Sequence, residues 1–141
     1  MSEYTELSPE NSLKLSQLIK KLFDKKDSVH FRQPVDYLKL GLFDYPKVIK
    51  KMMDLKQVKE SLNDDQYESV EDCLADIQLI WDNCKIYNTE DSTIYKMAES
   101  MENHTAKLIV EYFGQVKKTL KPFVAIKPKE PEPEQSVKWI Q

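Results

Sequence analysis

Asn83-Cys84-Lys85-Ile86-Tyr87-Asn88 ends the most regular stretch of this 141-residue chain. Upstream of it Val70, Cys73, Leu74, Ile77, Ile80 and Trp81 recur at steps of three and four, and Cys84 and Tyr87 continue the series. That spacing predicts one helix with a buried face, running to about Tyr87. Four residues beyond Cys84 stands Asn88, the stripe's one polar break. An Asn side chain carries two N–H donors and a carbonyl acceptor, so on an apolar face it needs partners. Spacing alone leaves two readings open. Asn88 is a C-cap in the left-handed conformation that ends many helices, or its amide faces inward toward something to bind.

Composition narrows the fold. The chain has two glycines and is rich in Leu, Lys and Glu, which favours helices over a turn-rich β fold. Its length suits one domain with some tail. A net charge of −3 supplies no general basic field, and Arg32 is the only arginine. Sequence-specific nucleic-acid binding is therefore not expected. Cys73 and Cys84 share the predicted helix, where a rise of about 1.5 Å per residue sets them roughly 16 Å apart, too far for a disulfide. They read as small buried hydrophobes in a reducing compartment. With His30 and His104 the only histidines, no metal-ligand spacing appears, and neither metal nor cofactor is expected. No apolar run approaches a membrane span, and the polar N-terminus is unlike a signal peptide. A soluble intracellular protein is expected.

Working outward, Ser8-Pro9-Glu10 predicts a first helix capped by Ser8, with Pro9 at its first position. Its inward stripe is Leu15, Leu18, Ile19, Leu22 and Phe23. Residues 28–65 lose this periodicity yet stay apolar, with Val29, Phe31, Val35, Leu38, Leu40, Leu42, Phe43 and Tyr45 among them. A long apolar loop must pack on the domain or line a pocket. A helical turn is expected over 46–51, followed by a second helix capped by Asp54 that buries Leu55, Val58 and Leu62. Ser69 caps the cysteine-bearing helix, and Asp91 or Ser92 caps the last, whose stripe runs from Ile94 through Met101 and Leu108 to Val116. Four helices with short links, apart from one long loop, predict an antiparallel bundle. The domain is expected over 8–121, between an N-terminal tail of 1–7 and a Pro/Glu/Lys-rich tail of 122–141 whose Trp139 either docks on a partner or frays.

In this order and spacing, Phe31-Arg32-Gln33-Pro34-Val35-Asp36, Leu40 to Lys50, Met53-Asp54-Leu55 and Asn83 to Asn88 resemble a bromodomain, the left-handed four-helix bundle that binds acetylated lysine. The resemblance covers roughly residues 12–113 and is nearest to the BET-like subfamily in its Pro-Val-Asp and Leu-Gly-Leu-x-Asp-Tyr elements. It implies a role for each matching residue. Asn88 would donate its side-chain amide to the acetyl carbonyl, and Tyr45 would reach that carbonyl through a water. Val35, Leu40, Leu42, Cys84 and Tyr87 would form the wall, Phe31 the floor beside the acetyl methyl, and Ile94 the gatekeeper at the rim. The implied function is an epigenetic reader of acetylated histone tails or other chromatin proteins, nuclear and an accessory subunit of a chromatin complex.

Physical chemistry agrees with that implication. Acetylation turns the lysine ammonium into an amide that an apolar slot admits, whereas the ammonium would enter without a carboxylate to meet it. One amide hydrogen bond contributes about 1 kcal/mol net, so single-site affinity should be weak and helped by multivalency. Asp44, Glu90 and Asp91 are expected near the rim, either drawing basic peptides or serving as ordinary acids near helix starts.

Two departures stand out. The family's usual proline before Met53-Asp54-Leu55 is Met52, which frees a backbone angle. Its usual shelf tryptophan is Val29, followed by His30, which predicts a smaller apolar shelf. A bundle used as a scaffold with an idle pocket is the competing reading. Catalysis is not expected, because no nucleophile–base pairing, phosphate-cradling loop or metal cluster appears.

Overall fold

Ser8 starts the first helix as the sequence predicts: its Oγ accepts from Asn11 N–H at 3.1 Å, and Pro9 opens α1, Pro9–Asp24. The computed structural model describes residues 4–114. A 3-10 turn, Lys26–Phe31, follows α1. Then come α2 (Tyr37–Leu40), α3 (Tyr45–Val48), α4 (Leu55–Asn63), α5 (Val70–Tyr87) and α6 (Thr93–Phe113). The described residues are all-α, with α1, α4, α5 and α6 forming the bundle and the other three elements lying within the long loop.

Each long helix contributes the predicted stripe to one shared core. Leu15, Leu18, Ile19 and Leu22 of α1 meet Leu55, Val58 and Leu62 of α4, the α5 series around Trp81, and Ile94, Ala98, Met101 and Leu108 of α6. Trp81 is fully buried. Its indole N–H donates to Thr105 Oγ at 3.2 Å, and the Thr105 hydroxyl donates to Met101 O at 2.7 Å, so the largest core side chain leaves no polar atom unsatisfied. Val116 and the tail of 122–141, Trp139 included, lie outside the described residues.

The caps explain where helices start. Asp54, 1% exposed, accepts from Gln57 N–H at 3.0 Å and from the Gln57 side chain at 2.8 Å. Ser69 caps α5. Ser92 caps α6 through Tyr95 N–H, so of the two expected candidates Asp91 is not the cap.

Two expectations change. The long loop is more ordered than its periodicity suggests. Its helical turn is α3, beginning at Tyr45, while α2 and the 3-10 turn have no counterpart in the sequence reading. Asp36 caps α2 by accepting from Lys39 N–H at 3.2 Å. Gly41, at φ +76°, ends it in the left-handed region, with Gly41 N–H donating to Leu38 O (3.2 Å) and Leu42 N–H to Tyr37 O (2.8 Å). This paired closure folds Leu42 inward against Tyr37. The second change concerns the N-terminus. Thr5 donates to both oxygens of Glu71, from N–H and Oγ at 2.8 Å each, while Thr5 O accepts from Val70 N–H at 3.0 Å. Glu6 and Ser69 form an antiparallel bridge, so residues 4–7 of the N-terminal tail lie as a strap on the bundle.

Candidate functional site

Asn88 is the C-cap of α5, but not in the conformation spacing suggested. Its φ and ψ of −110° and 157° are extended rather than left-handed. The backbone N–H donates to Cys84 O at 3.0 Å, and side-chain Nδ2 donates to the same oxygen at 3.0 Å, with Cys84 Sγ further off at 3.7 Å. Those contacts fix which way the amide faces: exchanging N and O would set two carbonyl oxygens against each other. The side chain is 5% exposed, and its Oδ1 is buried with no hydrogen-bond partner among the described residues. Capping and facing inward thus coexist in one residue. The atom left over is the carbonyl oxygen, together with an N–H whose only further contact is the weak one to sulfur. Nor is Asn88 the single polar break of α5, since Asn83 and Glu71 are buried too.

Phe31, Leu42, Tyr45, Cys84, Tyr87 and Ile94 are all buried in the one hydrophobic core, with Val35 partly buried against it, and Cys84 is tied directly to the Asn88 amide. Tyr45 is 2% exposed at the start of α3, stacked on Tyr37 (centroids 6.0 Å apart) and edge-on to Tyr87 at 5.0 Å. Phe31 meets Trp81 edge-to-face at 5.3 Å. The Cys84 thiol donates to Ile94 O at 3.4 Å, linking the end of α5 to the start of α6. Ile94 is fully buried rather than open at a rim, and Leu40 is 46% exposed rather than enclosed in a wall. Burial pushes the Cys84 thiol up to about 12 and raises the Tyr45 phenol as well, so both stay protonated and neutral near neutral pH.

The expected rim acids are partly committed. Asp44 accepts from Tyr87 OH at 2.5 Å, and Asp91 accepts from Thr89 Oγ at 2.8 Å. Glu90, Val29 and His30 are exposed. Desolvation first, and the bond to Asp44 second, raise the Tyr87 phenol, which keeps it a donor.

With this geometry in place, the protein-family comparison is decisive: the bromodomain family matches residues 15–100. The chain belongs to the bromodomain family. Among curated relatives, an ankyrin repeat, bromo and BTB domain-containing protein of Dictyostelium discoideum is 36% identical over 100 residues, 71% of this chain and 12% of that protein. Transcription factor GTE1 of Arabidopsis thaliana is 36% identical over 67% of this chain and 24% of its own length. Transcription factor GTE7 of the same plant is 40% identical over 63% and 15%. The chain therefore spans at most about a quarter of these relatives.

This bromodomain also holds a residue to which sequence reasoning assigned no role. Asn83, 6% exposed, donates from Nδ2 to Lys51 O at 2.8 Å, next to Met52 where the usual proline is missing. Lys51 is pinned a second time by Asp76 at 3.3 Å, and Asp76 also accepts from Tyr67 OH at 2.8 Å. Half a signal was present: Asn83 is a polar residue directly beside Cys84 on a helix buried over most of its circumference, but nothing in the sequence points to Lys51 O as its partner. No group of three or more His, Cys, Asp or Glu side chains suited to a metal occurs among the described residues. A groove of about 520 Å³ between α1 and α4, lined by Gln17, Phe23, Lys59 and Leu62 among others, includes neither Asn88 nor Tyr45.

Proposed function

We propose that this bromodomain is a nuclear reader that binds acetylated lysine on histone tails or other chromatin proteins, working as an accessory subunit of a larger complex. Bromodomains are reader modules, and the relatives named as transcription factors support a role in chromatin or transcription. The single observation that carries the ligand assignment is Asn88: a buried amide with an unpartnered Oδ1, set beside an apolar and aromatic cluster.

An acetylated side chain suits that setting. It brings a carbonyl that can replace the weak sulfur contact at Nδ2, an N–H able to satisfy Oδ1 directly or through water, and a methyl for the apolar cluster. An ammonium would carry into that apolar setting a charge whose desolvation the neutral amide avoids. The Pro-Val-Asp and Leu-Gly-Leu-x-Asp-Tyr elements support a BET-like assignment within the family. Of the two replacements, Val29 is exposed and Met52 is partly buried against the core.

Titration calorimetry with acetylated and unmodified histone-tail peptides tests the reading. Acetylated peptides should give heat with the wild type and not with Asn88→Ala, whose loss leaves a desolvated ligand carbonyl unpaired at about 1–3 kcal/mol. Absence of heat at high micromolar protein, or equal binding by Asn88→Ala, would leave the scaffold reading in its place.

A further inference from the structure

Apolar side chains exposed singly need no explanation, but a run of them beside a buried polar site does. Val29, Leu38, Leu40 and Phe43 are 49%, 66%, 46% and 69% exposed, and all four lie on the segment that supplies Phe31, Val35, Leu42 and Tyr45 to the cluster. Tyr4, Leu13 and Val110, the other large apolar residues exposed among the described residues, are scattered over other elements. The exposure is built in by the hydrogen-bonded closure of α2 at Gly41, which turns Leu42 inward at 2% exposed and leaves Leu38, Leu40 and Phe43 outside.

The charges on the segment point the same way. Lys39, Lys47 and Lys50 are exposed, while Asp36 holds Lys39 N–H and Asp44 holds Tyr87 OH. A lysine-dense peptide laid along this loop meets Lys39, Lys47 and Lys50, which outnumber the carboxylates of Asp36 and Asp44 on the same stretch. Glu90 and Asp91, two further acids, stand on the α5–α6 link rather than on this loop.

We infer that the loop between α1 and α4 selects acetylated segments in which apolar residues flank the acetyl-lysine, over lysine-dense tails, with Leu38 and Phe43 as the discriminating contacts. This rests on the acetyl-lysine reading above and narrows its ligand class. The outward side chains lose water only against an apolar neighbour, and the lysines repel only a cationic one.

The test uses two acetyl-lysine peptides of equal length, one flanked by Leu and Phe and the other by Lys at those positions. Calorimetry with the full chain should show the apolar-flanked peptide binding about fivefold tighter, as expected for burial of a partial apolar side chain. Part of that preference should survive high salt, because salt screens only the charge contribution. The surface double variant Leu38→Ser/Phe43→Ser should lower the apolar-flanked affinity and leave the lysine-flanked affinity unchanged. Equal binding of the two peptides by the wild type, or an unaltered ratio in the double variant, overturns this inference while the acetyl-lysine reading stands. Binding of neither peptide overturns both.

Discussion

The Tyr87 hydroxyl donates to Asp44 Oδ1 at 2.5 Å, fastening the long loop to the end of α5. Asp44 immediately precedes Tyr45, and Tyr87 immediately precedes Asn88, so this contact sets the spacing of two site residues through their chain neighbours. Tyr87→Phe keeps the edge-on packing against Tyr45 and leaves a half-buried carboxylate unpaired. Stability should fall by about 1–2 kcal/mol in urea denaturation, and acetyl-peptide affinity should fall with it. Asp44→Asn, which keeps an acceptor, should lose less. Additive effects in the corresponding double variant would show that the two side chains do not act together.

Asn83 grips the far end of the same loop through Lys51 O. Asn83→Ala should lower stability by about 1–2 kcal/mol and speed amide exchange over residues 45–52. Met52→Pro in that background should recover part of the acetyl-peptide affinity by restricting the loop backbone. Unchanged exchange over those residues would show that Asn83 does not hold the loop.

Within the core, Thr105→Val retains shape and strips the acceptor from the Trp81 N–H. A buried donor without a partner costs about 1–3 kcal/mol, which should appear as a lower urea midpoint with an unchanged slope. Acetyl-peptide binding by the folded variant should be unaffected, because the substitution removes no side chain assigned to the site.

Alkaline pH should loosen the bundle. Burial raises the Cys84 thiol from 9.0 to about 12 and shifts Cys73 and Tyr45 in the same direction. The unfolded chain releases these protons at lower pH than the folded one, so above about pH 9 folding retains protons that unfolding sheds. Stability is then complete below about pH 9 and declines as pH rises toward 12. Denaturation midpoints on either side of pH 9 check this, and iodoacetamide should label both cysteines only as fast as the protein unfolds.

The long helices were legible because each starts with a short polar cap before an apolar stripe, a pattern that Ser8, Asp54 and Ser69 satisfy locally. The loop was not, although Asp36 and Gly41 frame α2 in plain view: a four-residue helix is too short to show a period, and its closure depends on Leu42 finding the core. Asn88 drew notice because it breaks an apolar series, yet its extended backbone and the committed Nδ2 follow from the neighbouring Cys84 carbonyl, which spacing cannot orient. Asn83 escaped because its partner, a backbone oxygen 32 residues away, carries no sequence signature.

The strap over α5 has a consequence for the order of assembly. Thr5 and Glu71 are 66 residues apart, and their contact encloses α1, the long loop and α4. Closing so long a ring gains little until the helices inside it have docked. The Val70 amide bonded to Thr5 O is therefore a latch that shuts late in folding and opens early in unfolding. Its hydrogen exchange should report a partial opening well below the energy of global unfolding, making residues 4–7 an early-warning gauge for the bundle they cross.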